Sequence, residues 1–138
     1  MPRSVGQGDL EIMVILITGK CGAGKTTHAK RLAREIMQND AMAAVVFDGD
    51  EVRNVQDNQD YTDSGRLAHL MAIAHNAAVV ENTGNVAIIA VVAPKKEFRD
   101  AMRAEWKESR LVYLPGGELW LGTEYERPTI GEFDVRHG

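Results

Sequence analysis

Residues 12–27 read IMVILITGKCGAGKTT, and this stretch decides the fold. Its second half matches the phosphate-binding pattern G-x-x-x-x-G-K-[ST] at every fixed position, which are Gly19, Gly24, Lys25 and Thr26. Glycines let consecutive backbone N–H groups face a polyphosphate, and a following helix adds the positive end of its dipole. The β-branched apolar run before the loop is typical of a buried parallel strand. The spacing therefore predicts a strand, a phosphate loop and a helix in succession.

The phosphate loop supplies the first candidate site residues. We predict that the Lys25 ammonium reaches the outer phosphates of ATP and acts in catalysis, and that the Thr26 hydroxyl binds Mg²⁺. The residues expected to bind the nucleotide are Gly19, Lys20, Cys21, Gly22, Ala23, Gly24, Lys25, Thr26 and Thr27. A glycine-rich turn without a nucleotide is the alternative, and the preceding strand argues against it.

Length, charge and cysteine content narrow the class of protein. The 138 residues suffice for one domain, which we place at 12–138 after a polar tail at 1–11 that is expected to be flexible. A formal net charge of −4 argues against a broad nucleic-acid-binding surface. The single cysteine permits no intramolecular disulfide, and no apolar run has membrane-spanning length or the form of a signal peptide. These features predict a cytoplasmic protein that contacts no membrane. Nucleic acid is not the expected partner, although the net charge does not exclude a local basic pocket.

Strand and helix patterns alternate along the rest of the chain. Apolar runs predict further strands at 43–47, 86–92 and 111–114. Helical spacing predicts a long helix from an N-cap at Ser64 to about Glu81, ended by Gly84, and a second amphipathic helix over 95–108. The pattern is typical of an α/β fold of the P-loop NTPase, nucleotide-kinase-like type, with a parallel sheet covered by helices on both faces.

An acidic segment follows the second predicted strand, at Asp48 to Arg53. Carboxylates there can orient Mg²⁺ through its waters, or accept a proton from an attacking hydroxyl during phosphoryl transfer. The Arg53 guanidinium can bind an anionic acceptor. A solvated Asp-Gly turn is the alternative. Because ligands bind beyond the carboxyl ends of parallel strands, we expect this segment, the phosphate loop and residues 93–96 to meet at one edge of the sheet.

The order of these segments resembles that of the adenylylsulfate kinases. In that family an Asp-Gly-Asp-x-x-Arg segment lies at the acceptor site, and residues 48–53 have this pattern. An aromatic residue follows, then an arginine and an asparagine one helical turn apart, a Ser-Pro that ends a strand, two basic residues and a late Tyr-Glu-x-Pro. The corresponding positions here are Tyr61, Arg66, His69, Ala93-Pro94, Lys96, Arg99 and Tyr125–Pro128. The resemblance covers about residues 13–114.

The resemblance implies ATP-dependent phosphoryl transfer to a small-molecule hydroxyl, above all the 3′-hydroxyl of adenylylsulfate, in sulfate assimilation. It implies ATP and Mg²⁺ as cofactors and a homodimer. Asp48 would polarise the acceptor hydroxyl and, with Thr26, hold the metal. The acceptor-binding residues that it implies are Asp48, Asp50, Arg53, Tyr61, Arg66, His69, Ala93 and Lys96.

The chain also departs from the family pattern. His69 stands in place of the asparagine, and Met71 and Ala72 stand where two basic residues are expected. Residues 115–123 are too few for the basic lid that the family places after its last central strand, and a lid excludes water and completes the charge clamp on the phosphoryl group. Two alternatives therefore stay open: a nucleotide or polynucleotide 5′-hydroxyl kinase, and a degenerate, non-catalytic ATP-binding regulatory module.

Overall fold

The computed structural model describes residues 13–39, 42–56, 62–118 and 124–136, and of residues 53–56 the backbone alone. Its elements in chain order are β1 (Val14–Gly19), α1 (Lys25–Asn39), β2 (Ala44–Asp48), α2 (Gly49–Gln56), α3 (Asp63–Asn82), β3 (Val86–Val91), α4 (Lys96–Arg103), β4 (Ser109–Leu114) and β5 (Val135–Arg136). The strands pair in the order β2-β3-β1-β4-β5, and all four pairings are parallel. This architecture confirms the predicted α/β fold.

Strand β1 lies at the centre of the sheet because its side chains are apolar on both faces. All six of its residues are buried, and β3 beside it is buried along its whole length. Successive side chains of a strand point to opposite faces, so Leu16 packs with α3 and α4 while Ile17 packs with α1. The sheet is thus covered on both sides, as continuous apolar strands require.

The long helix α3 begins at Asp63, one residue before its predicted N-cap. Its N-cap is Thr62 rather than Ser64, and the Thr62 hydroxyl accepts a hydrogen bond of 3.1 Å from the Gly65 N–H. Both residues are good capping types, and the backbone of Thr62 is the one in the extended conformation that an N-cap adopts. The helix ends at Asn82, and Gly84 follows with φ of 82°, as predicted for its C-terminus.

Helix α4 is shorter than the predicted span of 95–108 and ends at Arg103. The buried carboxylate of Glu81 accepts hydrogen bonds from the N–H groups of Lys107 and Glu108, which draws these amides away from a helical ladder. The Trp106 side chain is buried, as predicted, and its indole N–H donates to the Ala74 carbonyl at 2.9 Å. A tertiary contact therefore overrides the amphipathic pattern here.

The C-terminal segment holds an element that the sequence pattern did not predict. Strand β5 has two residues and pairs with β4 through Val112 and Val135. The polar residues 51–63 are predicted from the sequence to form a short helical turn and a loop, and the structure instead has an eight-residue helix, α2, at Gly49–Gln56. Two residues are too few to show a periodicity, and so β5 depends on the edge that β4 offers.

Some predictions fall on parts of the chain that the structure leaves undescribed. The tail at 1–11 and Tyr61 lie outside the described residues, as does the side chain of Arg53. Within the described ranges, no helix combines the length and apolar character needed to cross a bilayer.

Candidate functional site

The phosphate loop connects the carboxyl end of β1 to the N-terminus of α1. Gly22 and Gly24 have φ values of 79° and 93°, a backbone conformation that other residues rarely adopt. The His28 N–H donates to the Gly24 carbonyl at 3.0 Å and so starts the helical ladder. The free N–H groups of the first turn then point toward the loop, which is the arrangement that binds phosphate.

The Lys25 side chain folds back over this loop. Its Nζ donates to the Lys20 carbonyl at 2.8 Å. Burial lowers the pKa of Lys25 from its ordinary value, and this effect is partly offset by the charges of Cys21, Asp50 and Asp48. A partly desolvated ammonium group attracts an anionic ligand more strongly than a solvated ammonium group does, because the surrounding dielectric constant is lower. Lys25 is therefore placed to bind an outer phosphate.

Thr26 and Asp48 are in contact at the site, although they are twenty-two positions apart in the chain. The Thr26 hydroxyl donates to Oδ2 of Asp48, while Oδ1 accepts the N–H groups of Asp50 and Glu51 at 3.0 and 3.1 Å. Asp48 thus fixes the start of α2 and the orientation of the Thr26 hydroxyl together. The strand order explains the meeting, since β2 and β1 both end at this edge of the sheet.

These residues fit a magnesium ion. Because Thr26 donates its proton to Asp48, the lone pairs of its hydroxyl oxygen remain available to a cation. Mg²⁺ prefers oxygen ligands and usually takes one or two from protein, together with substrate phosphates and water. The described residues contain no group of three or more His, Cys, Asp or Glu side chains that could hold a metal ion by themselves.

A cavity of about 310 Å³ adjoins the phosphate loop. Its walls come from the loop, the Asp48–Asp50 segment, one face of α3 and the end of β3. The lining residues are Cys21, Gly22, Gly24, Lys25, Thr26, Thr27, Asp48, Gly49, Asp50, Arg66, His69, Leu70, Ala90, Val91, Val92, Ala93 and Pro94. The structure therefore brings together the three segments that were expected to meet.

Helix α3 presents three side chains to this cavity. Arg66, His69 and Leu70 stand at positions i, i+3 and i+4, which lie on one face of a helix. His69 is 6% exposed and Leu70 is 4% exposed, while Arg66 is half-buried. This face combines one guanidinium, one imidazole and an apolar surface, which suits an acceptor with both an anionic and an apolar part.

The end of β3 is held in an unusual backbone conformation. Ala93 has φ of 44°, which is uncommon for a residue with a side chain. Its carbonyl accepts a hydrogen bond of 2.8 Å from Arg99 Nη1, and the carbonyl of Val92 accepts one of 2.6 Å from the Thr18 hydroxyl. Two buried side chains thus fix the wall of the cavity beside Pro94.

One predicted acceptor-binding residue lies elsewhere. The Lys96 ammonium contacts the Asp100 carboxylate at 2.6 Å on the exposed side of α4, and Lys96 is not among the residues that line the cavity. The i,i+4 spacing on one helix favours this pairing. Conversely, Leu70 and Pro94 line the cavity, although the sequence pattern places Leu70 on the apolar face of a helix and Pro94 at the end of a strand. The spacing of Leu70 from Arg66 was the signal that could have identified it.

Comparison with known proteins identifies the family. A sequence model of the family described as adenylylsulphate kinase matches residues 11–115, most of the chain. The chain belongs to the adenylylsulphate kinase family. It is 35% identical over 103 residues to the probable adenylyl-sulfate kinase of Aeropyrum pernix, covering 74% of this chain and 56% of that protein. It is 37% identical over 91 residues to the adenylyl-sulfate kinase of Paraburkholderia xenovorans, and this match covers 65% of this chain and 50% of that protein.

Solved structures of the family share the fold. The APS kinase of Mycobacterium tuberculosis in complex with AMPPNP and APS superposes with a TM-score of 0.78 at 18% identity, over 99% of this chain and 89% of that chain. The chain spans only about half the length of the curated relatives it matches. Family membership and fold are therefore established from residues that include the whole phosphate loop and the Asp48–Arg53 segment.

Proposed function

We propose that this member of the adenylylsulphate kinase family transfers the γ-phosphoryl group of ATP to the 3′-hydroxyl of adenylylsulfate. One observation carries the proposal: a single cavity joins the phosphate loop to Asp48 and to the Arg66–His69 face of α3. A donor nucleotide and an anionic acceptor would thus lie against each other. The family match and the relative whose structure contains AMPPNP and APS support the same reaction.

The proposed transfer follows from the contacts of the site. The acceptor oxygen attacks the γ-phosphorus, the bond from that phosphorus to the β–γ bridging oxygen breaks, and ADP leaves. The hydroxyl proton passes to a carboxylate, for which Asp48 is our candidate. Its Oδ1 already accepts two N–H groups, whereas its Oδ2 accepts one hydroxyl and keeps a lone pair.

The charged groups of the site have complementary roles in this proposal. Lys25 would neutralise charge on the outer phosphates, and Arg66 would pair with the phosphosulfate group of the acceptor. Thr26 would hold Mg²⁺, with Asp48 orienting its hydroxyl. When bound, the metal would stabilise charge on the phosphate oxygens. Asp50 lines the cavity and remains a predicted acceptor contact. Arg53 and Tyr61 are predicted acceptor contacts as well.

Location and assembly belong to the same proposal. We expect the protein to act in the cytoplasm, where ATP is available and a lone thiol such as Cys21 stays reduced. A homodimer remains a prediction from the family resemblance. Sedimentation velocity of the purified chain would measure its mass directly, and a monomer at all concentrations would contradict that prediction.

Substrate assays with the Asp48→Asn variant test the reaction. The wild-type chain with Mg·ATP should phosphorylate adenylylsulfate in preference to nucleosides and 5′-hydroxyl oligonucleotides. The amide keeps an N-cap acceptor for α2 but loses the charge, so kcat should fall at least about a hundredfold while the Kd for Mg·ATP stays within a few-fold. Mass spectrometry of the product and calorimetric ATP titration give the two readouts.

Two results would replace the proposal with a rival. If the 5′-hydroxyl oligonucleotide is the only acceptor that becomes phosphorylated, the protein is better described as a polynucleotide 5′-hydroxyl kinase. A melting temperature that ATP raises, together with no phosphorylation of any acceptor, would favour a non-catalytic ATP-binding module. Loss of turnover in Asp48→Asn with retained ATP binding speaks against that module.

A further inference from the structure

Shortly after β4, the chain contacts the phosphate loop through main-chain atoms of Gly117 and Glu118. The Glu118 N–H donates to the Cys21 carbonyl at 2.8 Å, and the two residues form an isolated antiparallel bridge. We call Gly117 and Glu118 the strap. Since the Glu118 side chain is exposed, its main chain rather than its carboxylate makes this contact.

The strap approaches the loop so closely that only glycine fits at position 117. A Cβ atom there would lie 2.4 Å from the Cys21 carbonyl oxygen and 2.9 Å from the Ala23 nitrogen. Both of these are main-chain atoms, so neither can rotate away as a flexible side chain would. Gly117 also has φ of 71°, which other residues rarely adopt.

A second contact braces the same loop at its start. A Cβ atom on Gly19 would lie 2.6 Å from the Leu114 carbonyl oxygen, at the end of β4. The loop is therefore packed against one continuous stretch of chain, at Gly19 by the strand end and at Cys21–Ala23 by the strap. The Lys20 carbonyl in the loop accepts two further hydrogen bonds, one from Lys25 Nζ and one from the Ala23 N–H.

We propose that the strap holds the phosphate loop in its nucleotide-binding shape and that Gly117 is a positioning residue for ATP. Gly22 and Gly24 are exposed and give the loop conformational freedom. Without the strap, nucleotide binding would have to restrict that freedom at a cost in entropy. A loop that is already ordered binds its ligand without that entropic cost. The inference rests on the ATP-binding half of the proposed function and is independent of the acceptor.

The variants Gly117→Ala and Gly116→Ala form a matched pair. Gly116 has φ of 99°, and a Cβ atom there would meet nothing within 4 Å. Both substitutions therefore strain the backbone, but only Gly117→Ala pushes the strap and the loop apart. Calorimetric titration with Mg·ATP and no acceptor should show Kd raised by about tenfold or more for Gly117→Ala, and by no more than about twofold for Gly116→Ala.

A second pair breaks the hydrogen bond at Glu118, where a proline ring also places a carbon atom in the position of the donated hydrogen. Glu118→Pro deletes the N–H that donates to Cys21, while Glu118→Ala keeps it and shortens only an exposed side chain. Glu118→Pro should weaken Mg·ATP binding and Glu118→Ala should not. In turnover assays, the KM for ATP should rise in Gly117→Ala and Glu118→Pro, with the KM for the acceptor unchanged. A merely structural role would move both constants together.

The outcomes separate this inference from the proposed function. A wild-type chain that does not bind Mg·ATP overturns both. If the wild type binds Mg·ATP and Gly117→Ala binds it as tightly as Gly116→Ala does, the strap proposal fails and the proposed function stands. If Gly117→Ala does not fold, equal affinities of Glu118→Pro and Glu118→Ala overturn the strap proposal in the same way.

Discussion

Single side chains connect the site to the C-terminal segment. Thr18, at the end of β1, is fully buried, and its hydroxyl donates to the Val92 carbonyl. Its oxygen lies 2.9 Å from the Tyr125 hydroxyl, which is then the donor of that pair. Since Val92 precedes the strained Ala93 at the cavity wall, a tyrosine outside the cavity helps to fix the shape of the cavity.

The ionisation of Tyr125 predicts a pH dependence of stability. Burial raises the pKa of Tyr125 to about 12 from an ordinary value of 10.0. A raised pKa favours the neutral phenol in the folded state, so this contribution is complete below pH 10 and is lost as the pH rises toward 12. Urea unfolding should show the free energy of unfolding falling by roughly 2 kcal/mol over that range from this group.

Tyr125→Phe is the control for this effect. It removes the titrating group, so its free energy of unfolding should fall less steeply between pH 10 and 12 than that of the wild type. Phenolate absorbance in the folded protein gives the pKa independently. A Tyr125 that titrates near pH 10, or equal slopes in the two proteins, would contradict the assignment.

Among the elements, α3 contributes one wall of the cavity, where we propose that the acceptor binds. Its N-cap, Thr62, starts the helix close enough to the cavity for Arg66, one turn later, to line it. The Arg66 N–H donates to the Thr62 carbonyl at 2.8 Å, which closes this first turn. Fraying here would therefore displace Arg66 before it unfolds the apolar middle of the helix.

Removing the cap should destabilise the protein modestly. Thr62→Ala deletes the hydroxyl that accepts the Gly65 N–H and should lower the free energy of unfolding by about 1 kcal/mol. Ser64→Ala changes the residue that the sequence favoured as the cap and should cost less than about 0.5 kcal/mol. Urea denaturation of both variants measures the difference. Equal losses, or a larger loss in Ser64→Ala, would place the cap at Ser64 after all.

At the scale of the whole molecule, a buried ion pair joins the C-terminal segment to helix α4. Arg99 of α4 is 0% exposed, and its Nε lies 2.6 Å from Oε2 of Glu132, which is 5% exposed. The same guanidinium donates to the carbonyls of Ala93 and Glu126. The Tyr125 ring lies 5.7 Å from the guanidinium carbon. One side chain thus joins α4, the cavity wall and residues 125–132.

Breaking this pair should be costly. Glu132→Gln leaves the Arg99 charge buried without its counter-charge, and the free energy of unfolding should fall by about 3 kcal/mol. Asp100→Asn breaks the exposed Lys96–Asp100 pair, whose side chains are 49% and 52% exposed, and should change the stability far less because solvent screens the two charges. Thermal and urea unfolding of the two variants provide the comparison. Similar losses in both would mean that the buried pair contributes no more than a surface pair.

The sequence predicted the parts of the fold that rest on local pattern. The phosphate loop, the buried strands β1 and β3 and the helix that ends before Gly84 follow from residue spacing alone. The early end of α4 and the strand β5 did not, because each depends on a partner distant in sequence. The Glu81 carboxylate, for example, accepts hydrogen bonds from the N–H groups of Lys107 and Glu108, and no local sequence pattern predicts that contact. The N-cap of α3 did not follow from spacing either, because Thr62 and Ser64 are both good capping residues two positions apart.

The candidate site divides in the same way. The sequence by itself determined the phosphate loop from Gly19 to Thr26, since the chemistry of phosphate binding is encoded in contiguous residues. Only the tertiary structure decided that Thr26 contacts Asp48, that Leu70 lines the cavity while Lys96 lies outside it, and that Gly117 packs on Cys21. The physical reason is that these contacts form where parallel strands end together, and strand order is set by packing of the whole sheet rather than by neighbours in the chain.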